Sequence, residues 1–142
     1  MKQWPRKMLL AACLLLMTLS GCGDDTDEFN SEGTVSAPIL FSSVPFSYDG
    51  QVGIDNGASF YKVETTTNSG YTTSVSNLTD DVDLIVYGVN GFSDDNPLCV
   101  SINVGNADES CTGTVSGNEM YIRVKLIGDV GTKYTLQVLV GT

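Results

Sequence analysis

The sequence predicts an all-β protein with a single antiparallel β-sandwich of jelly-roll type, built from about seven or eight strands. Apolar residues recur at every second position along residues 71–76, 120–127 and 134–140, the period that lets a strand bury one face. Turn-forming groups such as Asp55-Asn56-Gly57 separate these runs at short intervals. No stretch shows a sustained helical period, and residues 37–142 suffice for one sandwich but not for two.

The central stretch contains two predicted strands, residues 71–76 and 82–87, joined by a short turn rich in acidic residues. Both faces of the second strand are apolar, as in a strand that is covered on both sides. The segment from Cys99 to Cys111 is predicted to form a hairpin. The other predicted strands cover residues 51–54, 59–66, 98–104, 120–127 and 134–140.

The N-terminus has the features of a bacterial export signal. A positively charged segment precedes an apolar run over residues 8–19, which is too short to span a bilayer comfortably. The run ends in Leu-Ser-Gly-Cys at Cys22, which resembles the lipobox of bacterial lipoproteins. The alternative is a plain secretory signal followed by a chance Cys. We predict a lipoprotein signal peptide over residues 1–21, then a lipidated Cys and an acidic flexible tether over residues 22–36.

The lipobox resemblance implies attachment to a membrane through palmitate and other acyl chains on Cys22. Two or more acyl chains hold a protein firmly at a bilayer. In Gram-negative lipoproteins an Asp directly after the Cys favours the inner membrane, and here that residue is Gly23. We therefore predict a lipid-anchored protein of the cell envelope, at the outer membrane, on its periplasmic or surface face.

The charge of the chain excludes some partners. The net charge is −10, and removal of residues 1–21 would take away Lys2, Arg6 and Lys7 but no acidic residue. Nucleic acid binding needs Lys and Arg to displace counterions, so nucleic acid is not an expected partner. Divalent cations remain compatible with this charge.

Two cysteines, Cys99 and Cys111, remain in the predicted domain. An even pair in an exported chain favours a disulfide bond over a metal site, since the sequence contains no His to complete one. The bond would close a short loop and stabilise the fold by roughly 3 kcal/mol in the chain-entropy model.

Several segments resemble, in order and spacing, the bacterial pre-peptidase C-terminal domain, a small β-sandwich appended to secreted hydrolases. They are SFYKVET, DDVDLIVYG, CVSINVGNADESC and NEMYIRVKLIGDVGTKYTLQV. The resemblance covers roughly residues 51–140 and implies a sandwich without a catalytic role. Family members usually follow a hydrolase, whereas here the domain follows a predicted lipid anchor.

Catalysis is not expected from this composition. Without His the chain lacks Ser–His and Cys–His nucleophilic machinery, and no Ser lies in a nucleophile-elbow motif. A glycosidase would need two carboxylates across a cleft, whereas the paired acids here lie in predicted turns. We predict that the protein is not an enzyme.

Calcium is the cofactor that the acidic residues permit, because Ca²⁺ takes oxygen ligands from loop carboxylates and carbonyls. Some collagen-binding relatives in the resembled family also bind calcium, largely through a segment that cannot be aligned here. The alternative is that the acids cap turns and keep the surface soluble. The candidate ligands are Asp80, Asp81, Asp83, Asp94 and Asp95, with Asp108 and Glu109 on a third loop.

Three aromatic residues, Tyr87, Phe92 and Tyr121, are candidates for ligand binding, since an exposed ring can stack on sugars or peptides. The alternative is ordinary cross-strand packing. The predicted function is a non-catalytic, envelope-anchored binding module for polysaccharide or an extracellular protein. The alternative function is a structural or accessory lipoprotein subunit that docks on a larger envelope or secreted-hydrolase partner.

Overall fold

The computed structural model describes residues 29–141, which form nine β-strands in two packed sheets. The strands are β1 (Ile39–Phe41), β2 (Phe46–Val52), β3 (Ala58–Glu64), β4 (Ser69–Ser76), β5 (Val82–Tyr87), β6 (Cys99–Ser101), β7 (Glu109–Val115), β8 (Glu119–Leu126) and β9 (Thr132–Gly141). One sheet has the order β1-β3-β8-β5-β6 and the other the order β2-β9-β4-β7. Neighbouring strands are antiparallel except β1 and β3, which are parallel. Residues 29–141 contain no helix that could cross a membrane.

The core lies between the two sheets because each strand turns one apolar side inward. In β8, Met120, Ile122 and Val124 are fully buried, while the residues between them are partly exposed. Leu136 and Val138 of β9 face them from the other sheet. Burying an aliphatic side chain of this size contributes roughly 1.5–3 kcal/mol. The predicted all-β sandwich is therefore confirmed, with β1 as a short strand that the sequence pattern did not indicate.

The two central strands, β4 and β5, belong to different sheets rather than to one hairpin. Asn77 follows β4 with a φ of 62°, the left-handed conformation that Asn tolerates better than most residues. Leu78 then lies buried at the end of the core, and the chain crosses to the other sheet. The acidic turn is thus a connection between the layers.

The disulfide predicted between Cys99 and Cys111 is present, but it joins two sheets instead of closing a hairpin. Cys99 lies in β6, the edge strand of the five-stranded sheet, and Cys111 lies in β7, the edge strand of the other sheet. The predicted hairpin is wrong because β6 pairs with β5 and β7 pairs with β4. The disulfide therefore fastens the layers together along one side of the sandwich.

Residues 29–36 pack on the domain and do not form the flexible tether predicted for this segment. The Ser31 N–H donates to Asp55 Oδ1 at 2.9 Å, and the Glu32 N–H donates to Ser59 Oγ at 2.7 Å. The Phe60 N–H in turn donates to the Glu32 carbonyl at 2.8 Å. These bonds satisfy the backbone of a polar segment that has little apolar surface to bury. The predicted signal peptide and Cys22 lie outside the described residues.

Candidate functional site

The three predicted aromatic residues meet on the outer face of the five-stranded sheet. The loop of residues 88–98 folds back over this face and places the Phe92 ring centroid 5.0 Å from that of Phe60. The Phe92 centroid is also 5.7 Å from Tyr87 and 5.1 Å from Tyr121, in edge-to-face contacts. Tyr87 is only 1% exposed, so it presents no free ring face to a ligand. The cluster packs the loop on the sheet, and only Phe92 and Tyr121 are partly exposed.

Asp94, in the same loop, is engaged by the protein's own groups. Its Oδ1 accepts hydrogen bonds from the Tyr87 hydroxyl at 2.9 Å and from Arg123 Nη1 at 3.0 Å. Burial is the main reason that the pKa of Tyr87 is raised; Arg123 opposes the rise and Asp94 adds to it. Asp95, the next residue, is exposed.

Asp80 has a structural role in the turn between β8 and β9. Its Oδ2 accepts the N–H groups of Val130 and Gly131, both at 3.0 Å, and its Oδ1 accepts the N–H of Asp81 at 2.8 Å. Burial would raise the pKa of Asp80, but these backbone donors outweigh it, so the pKa is lowered. The turn-capping alternative therefore accounts for this residue.

Glu109 is the one fully buried carboxyl group among the described residues. Its Oε1 accepts the Asn103 N–H at 2.9 Å, whereas its Oε2 is buried without a hydrogen-bond partner. Burial raises the pKa of Glu109 against the effect of its hydrogen bonds, and Asp83 and Asp81 add to the rise. Asp81 Oδ1 is likewise buried and unpartnered.

The predicted calcium ligands do not converge. Asp80 and Asp94 each accept several protein hydrogen bonds, and Asp83 lies opposite Lys125 on the outer face. Burial raises the pKa of Asp83, with Lys125 opposing the rise. Within the described residues, no three His, Cys, Asp or Glu side chains are placed to hold a metal ion. The structure of residues 29–141 therefore does not assemble the proposed ligands around one point.

A different site, which we name the polar cleft, lies where the N-terminal segment meets β2 and β9. Its volume is about 390 Å³, within the range of small-ligand sites. The Asn77 amide donates to Thr135 Oγ1 at 3.0 Å, and that hydroxyl donates to Asp49 Oδ1 at 3.1 Å. The lining residues are Glu32, Asp49, Gly50, Gln51, Asn77, Lys133, Tyr134 and Thr135.

Glu32 is positioned in the cleft by two tyrosines that reach out from the core. The Tyr61 hydroxyl donates to Glu32 Oε2 at 2.7 Å and is also hydrogen-bonded to the Tyr134 hydroxyl. Burial is the largest cause of the raised pKa of both tyrosines, so they remain protonated donors. Gly50 leaves the space for this arrangement, because a Cβ there would lie 2.8 Å from the Tyr61 hydroxyl and 2.7 Å from Tyr134 Cε2.

The polar cleft was not predicted from the sequence. Glu32 lies in the segment interpreted as a tether, and Asp49 and Gly50 lie in a stretch interpreted as a turn before a shorter strand. One usable signal was a Gly between polar residues beside a strand, which often marks a close approach of other groups. The role of Lys133 and Gln51 depends on the pairing of β2 with β9, which has no local sequence signature.

The comparisons with known proteins identify the fold. No family model matches the sequence, and no curated protein matches it significantly. Among solved structures, the pre-peptidase C-terminal domain of a collagenase from Bacillus anthracis is similar, with a TM-score of 0.60 and 12% identity over 77% of this chain and 98% of that domain.

A periplasmic inhibitor of g-type lysozyme from Aeromonas hydrophila gives a TM-score of 0.48 and 10% identity, over 74% of this chain and 100% of the inhibitor. The similarity to the collagenase domain confirms the sequence resemblance at the level of the fold, which is that of a pre-peptidase C-terminal domain.

Proposed function

We propose that the protein is a non-catalytic binding module of the cell envelope and that its polar cleft binds a hydroxyl-rich ligand, such as a segment of polysaccharide. One observation carries the proposal: carboxylate, amide, ammonium and hydroxyl groups converge in a single cleft of ligand size. Fold similarity alone would not support it, since one fold hosts many functions.

The groups of the polar cleft retain unused hydrogen-bonding capacity. The Gln51 amide and the Lys133 ammonium make no hydrogen bond to the described part of the chain, so both can donate to a ligand. Asp49 accepts from Thr135 through one oxygen and keeps further acceptor positions. A sugar offers vicinal hydroxyls that donate and accept together, which matches this mixture.

The proposal is non-catalytic because the cleft lacks an activated nucleophile. The Thr135 hydroxyl is bonded to the Asn77 amide and to the Asp49 carboxylate, and the sequence has no His to act as its base. The Glu32 carboxylate accepts a hydrogen bond from Tyr61, and the Asp49 carboxylate accepts one from Thr135. These bonds favour binding of a ligand over proton transfer to it.

Attachment through Cys22 forms part of the proposal, together with an outer-membrane address. The chain from Cys22 to Phe29 can span at most about 25 Å when fully extended. Lys133 of the polar cleft lies over the Phe29 ring at 5.8 Å. A lipid on Cys22 would therefore hold the cleft close to the membrane, where envelope polysaccharides are concentrated.

The test uses the full chain carrying Cys22→Ser, titrated with soluble oligosaccharides of peptidoglycan, chitin, cellulose and xylan. We expect one of them to bind, both with Ca²⁺ and with EDTA, and Asp49→Asn and Gln51→Ala each to weaken binding about tenfold. Asp129→Asn, an exposed acid in the turn after β8, serves as the matched control. Failure of every oligosaccharide to bind, or unchanged affinity in Asp49→Asn, would overturn the proposal.

A further inference from the structure

An exposed apolar stripe runs along β6 and the residues that flank it. Val100 lies in β6 and Ile102 follows it by two residues, so these two side chains occupy alternate positions of the chain, while Leu98 and Val104 lie at the bends before and after them. Val100 lies opposite Ile85 of β5, which extends the apolar surface onto the sheet. We name residues 98–104 the apolar edge. The stripe consists of Leu98, Val100, Ile102 and Val104, with exposed fractions of 42%, 48%, 67% and 87%.

The apolar edge is open to further strand pairing. β6 is the last strand of its sheet, and within residues 29–141 it pairs only with β5. Proteins commonly protect such an edge with charged residues, Pro or a short strand; β6 is short and Pro97 precedes it, but residues 98–104 themselves contain no charged residue and no Pro. The Cys99–Cys111 disulfide fastens β6 to β7, and the Asn103 N–H is already bonded to Glu109, so the backbone open to pairing is that of Cys99–Ser101. A docking segment would therefore meet a rigid template.

The charge around the apolar edge selects the partner. The sequence has no Lys or Arg between Lys62 and Arg123, and the exposed Asp95 and Asp108 flank the edge in the sequence, whereas Asp94 is paired with Arg123. A second copy of this chain would bring the same acids against one another, so self-pairing is disfavoured. A partner with Lys or Arg beside apolar residues would gain charge complementarity and faster association.

We propose that the apolar edge docks an extended, cationic segment of a partner protein, which adds as a strand beside β6. Backbone hydrogen bonds provide the pairing, apolar side chains of the segment cover the stripe, and its cations face the flanking acids. This surface is distinct from the polar cleft, so the proposal stands independently of saccharide binding.

The probe is a soluble peptide that alternates Lys with Val, titrated into the full chain carrying Cys22→Ser and followed by calorimetry and amide NMR. We expect saturable binding that weakens as salt rises, with amide shifts centred on residues 98–104. Ile102→Asp should weaken binding about tenfold or more. Val130→Asp is the matched control, because Val130 has the same 67% exposure in a turn elsewhere.

Two further peptides separate strand addition from simple charge attraction. A version with alternate amides N-methylated keeps the charge but cannot pair its backbone, and a version with Glu in place of Lys reverses the charge; neither should bind. Equal binding by the N-methylated peptide, equal losses in Ile102→Asp and Val130→Asp, or no binding of the Lys-Val peptide would each overturn the proposal. Asp49→Asn in the polar cleft should leave peptide affinity unchanged.

Discussion

Glu109→Gln is predicted to stabilise the domain at neutral pH and to remove a decline in stability between acidic and neutral pH. The wild-type carboxyl is fully buried in β7, with one oxygen unpartnered. Gln keeps the oxygen that accepts the Asn103 N–H at 2.9 Å and carries no charge. The substitution therefore removes the cost of ionisation while preserving the hydrogen bond.

The direction in which pH changes the free energy of unfolding follows from the raised pKa of Glu109 in the folded state. The unfolded carboxyl releases its proton near its ordinary pKa of 4.5, whereas the folded one holds it to higher pH. Between these two values the folded state binds more protons, so the free energy of unfolding falls as pH rises. Below both pKa values, Glu109 causes no pH dependence of the free energy of unfolding. Above both, the stability lost through its ionisation is constant.

The magnitude is set by ionisation of the buried carboxyl, because the Gln amide would leave a buried polar group equally unpartnered; an unsatisfied neutral group costs about 1–3 kcal/mol, and a charged one costs more. We expect Glu109→Gln to exceed wild type by at least about 1 kcal/mol near pH 8 and to match it at or below about pH 4. The quantity to compare is the difference in free energy of unfolding between Glu109→Gln and wild type, because the other carboxyl groups titrate equally in both proteins.

The assay is urea unfolding of the full chain carrying Cys22→Ser, measured across this pH range at fixed temperature. Asp108→Asn provides the control, since it removes an exposed acid next to Glu109 and should change stability by less than about 0.5 kcal/mol at every pH. Parallel pH profiles for wild type and Glu109→Gln would refute the reasoning. Stabilisation that is equal at all pH values would show that ionisation of Glu109 is not the cause.

Three other predictions concern the disulfide, the cleft and the anchor. The double change of Cys99 and Cys111 to Ser should lower the free energy of unfolding by roughly 3 kcal/mol, and reductant should lower wild type equally in urea unfolding; an insensitive wild type contradicts this. Gly50→Ala should lower the free energy of unfolding by about 1–3 kcal/mol and weaken saccharide binding, because its Cβ would lie 2.8 Å from the Tyr61 hydroxyl. Gly57→Ala is the control, since the space around its Cβ is open, and it should leave saccharide affinity unchanged. Cys22→Ser should abolish incorporation of labelled palmitate into the protein in the native host, and equal labelling of wild type and Cys22→Ser argues against lipidation of Cys22.

The strands with strong alternation were predictable because burial of one face is a local property of the sequence. β5 matches its predicted bounds, and β4, β8 and β9 agree within a few residues. The sheet to which each strand belongs was not predictable in the same way. The layer change after Ser76 depends on Asn77 and Leu78, whose roles become visible only when both sheets are present.

The candidate site residues also differ in whether a local sequence pattern or a distant contact determines their role. Cys99 and Cys111 were found by composition, since an even pair of cysteines in an exported chain has few other uses. Burial of Tyr87 depends on Phe92 returning over the sheet, a contact that no local pattern encodes. Glu32 enters the cleft because the Ser59 hydroxyl accepts its N–H and the Tyr61 hydroxyl donates to its carboxylate, and both partners are distant in sequence.

The two proposed surfaces lie on opposite sides of the sandwich, and this placement constrains how they would work together. The polar cleft borders β2, which packs near β3 and β8, whereas the apolar edge follows β6, which packs near β5 and β7. Occupying one surface therefore leaves the other free. If Cys22 carries a lipid, the short connection to Phe29 keeps the cleft side near the bilayer and leaves the β6 side for a partner. A partner docked there would share the domain's hold on envelope polysaccharide, so its effective concentration at that polymer would rise without direct affinity for it.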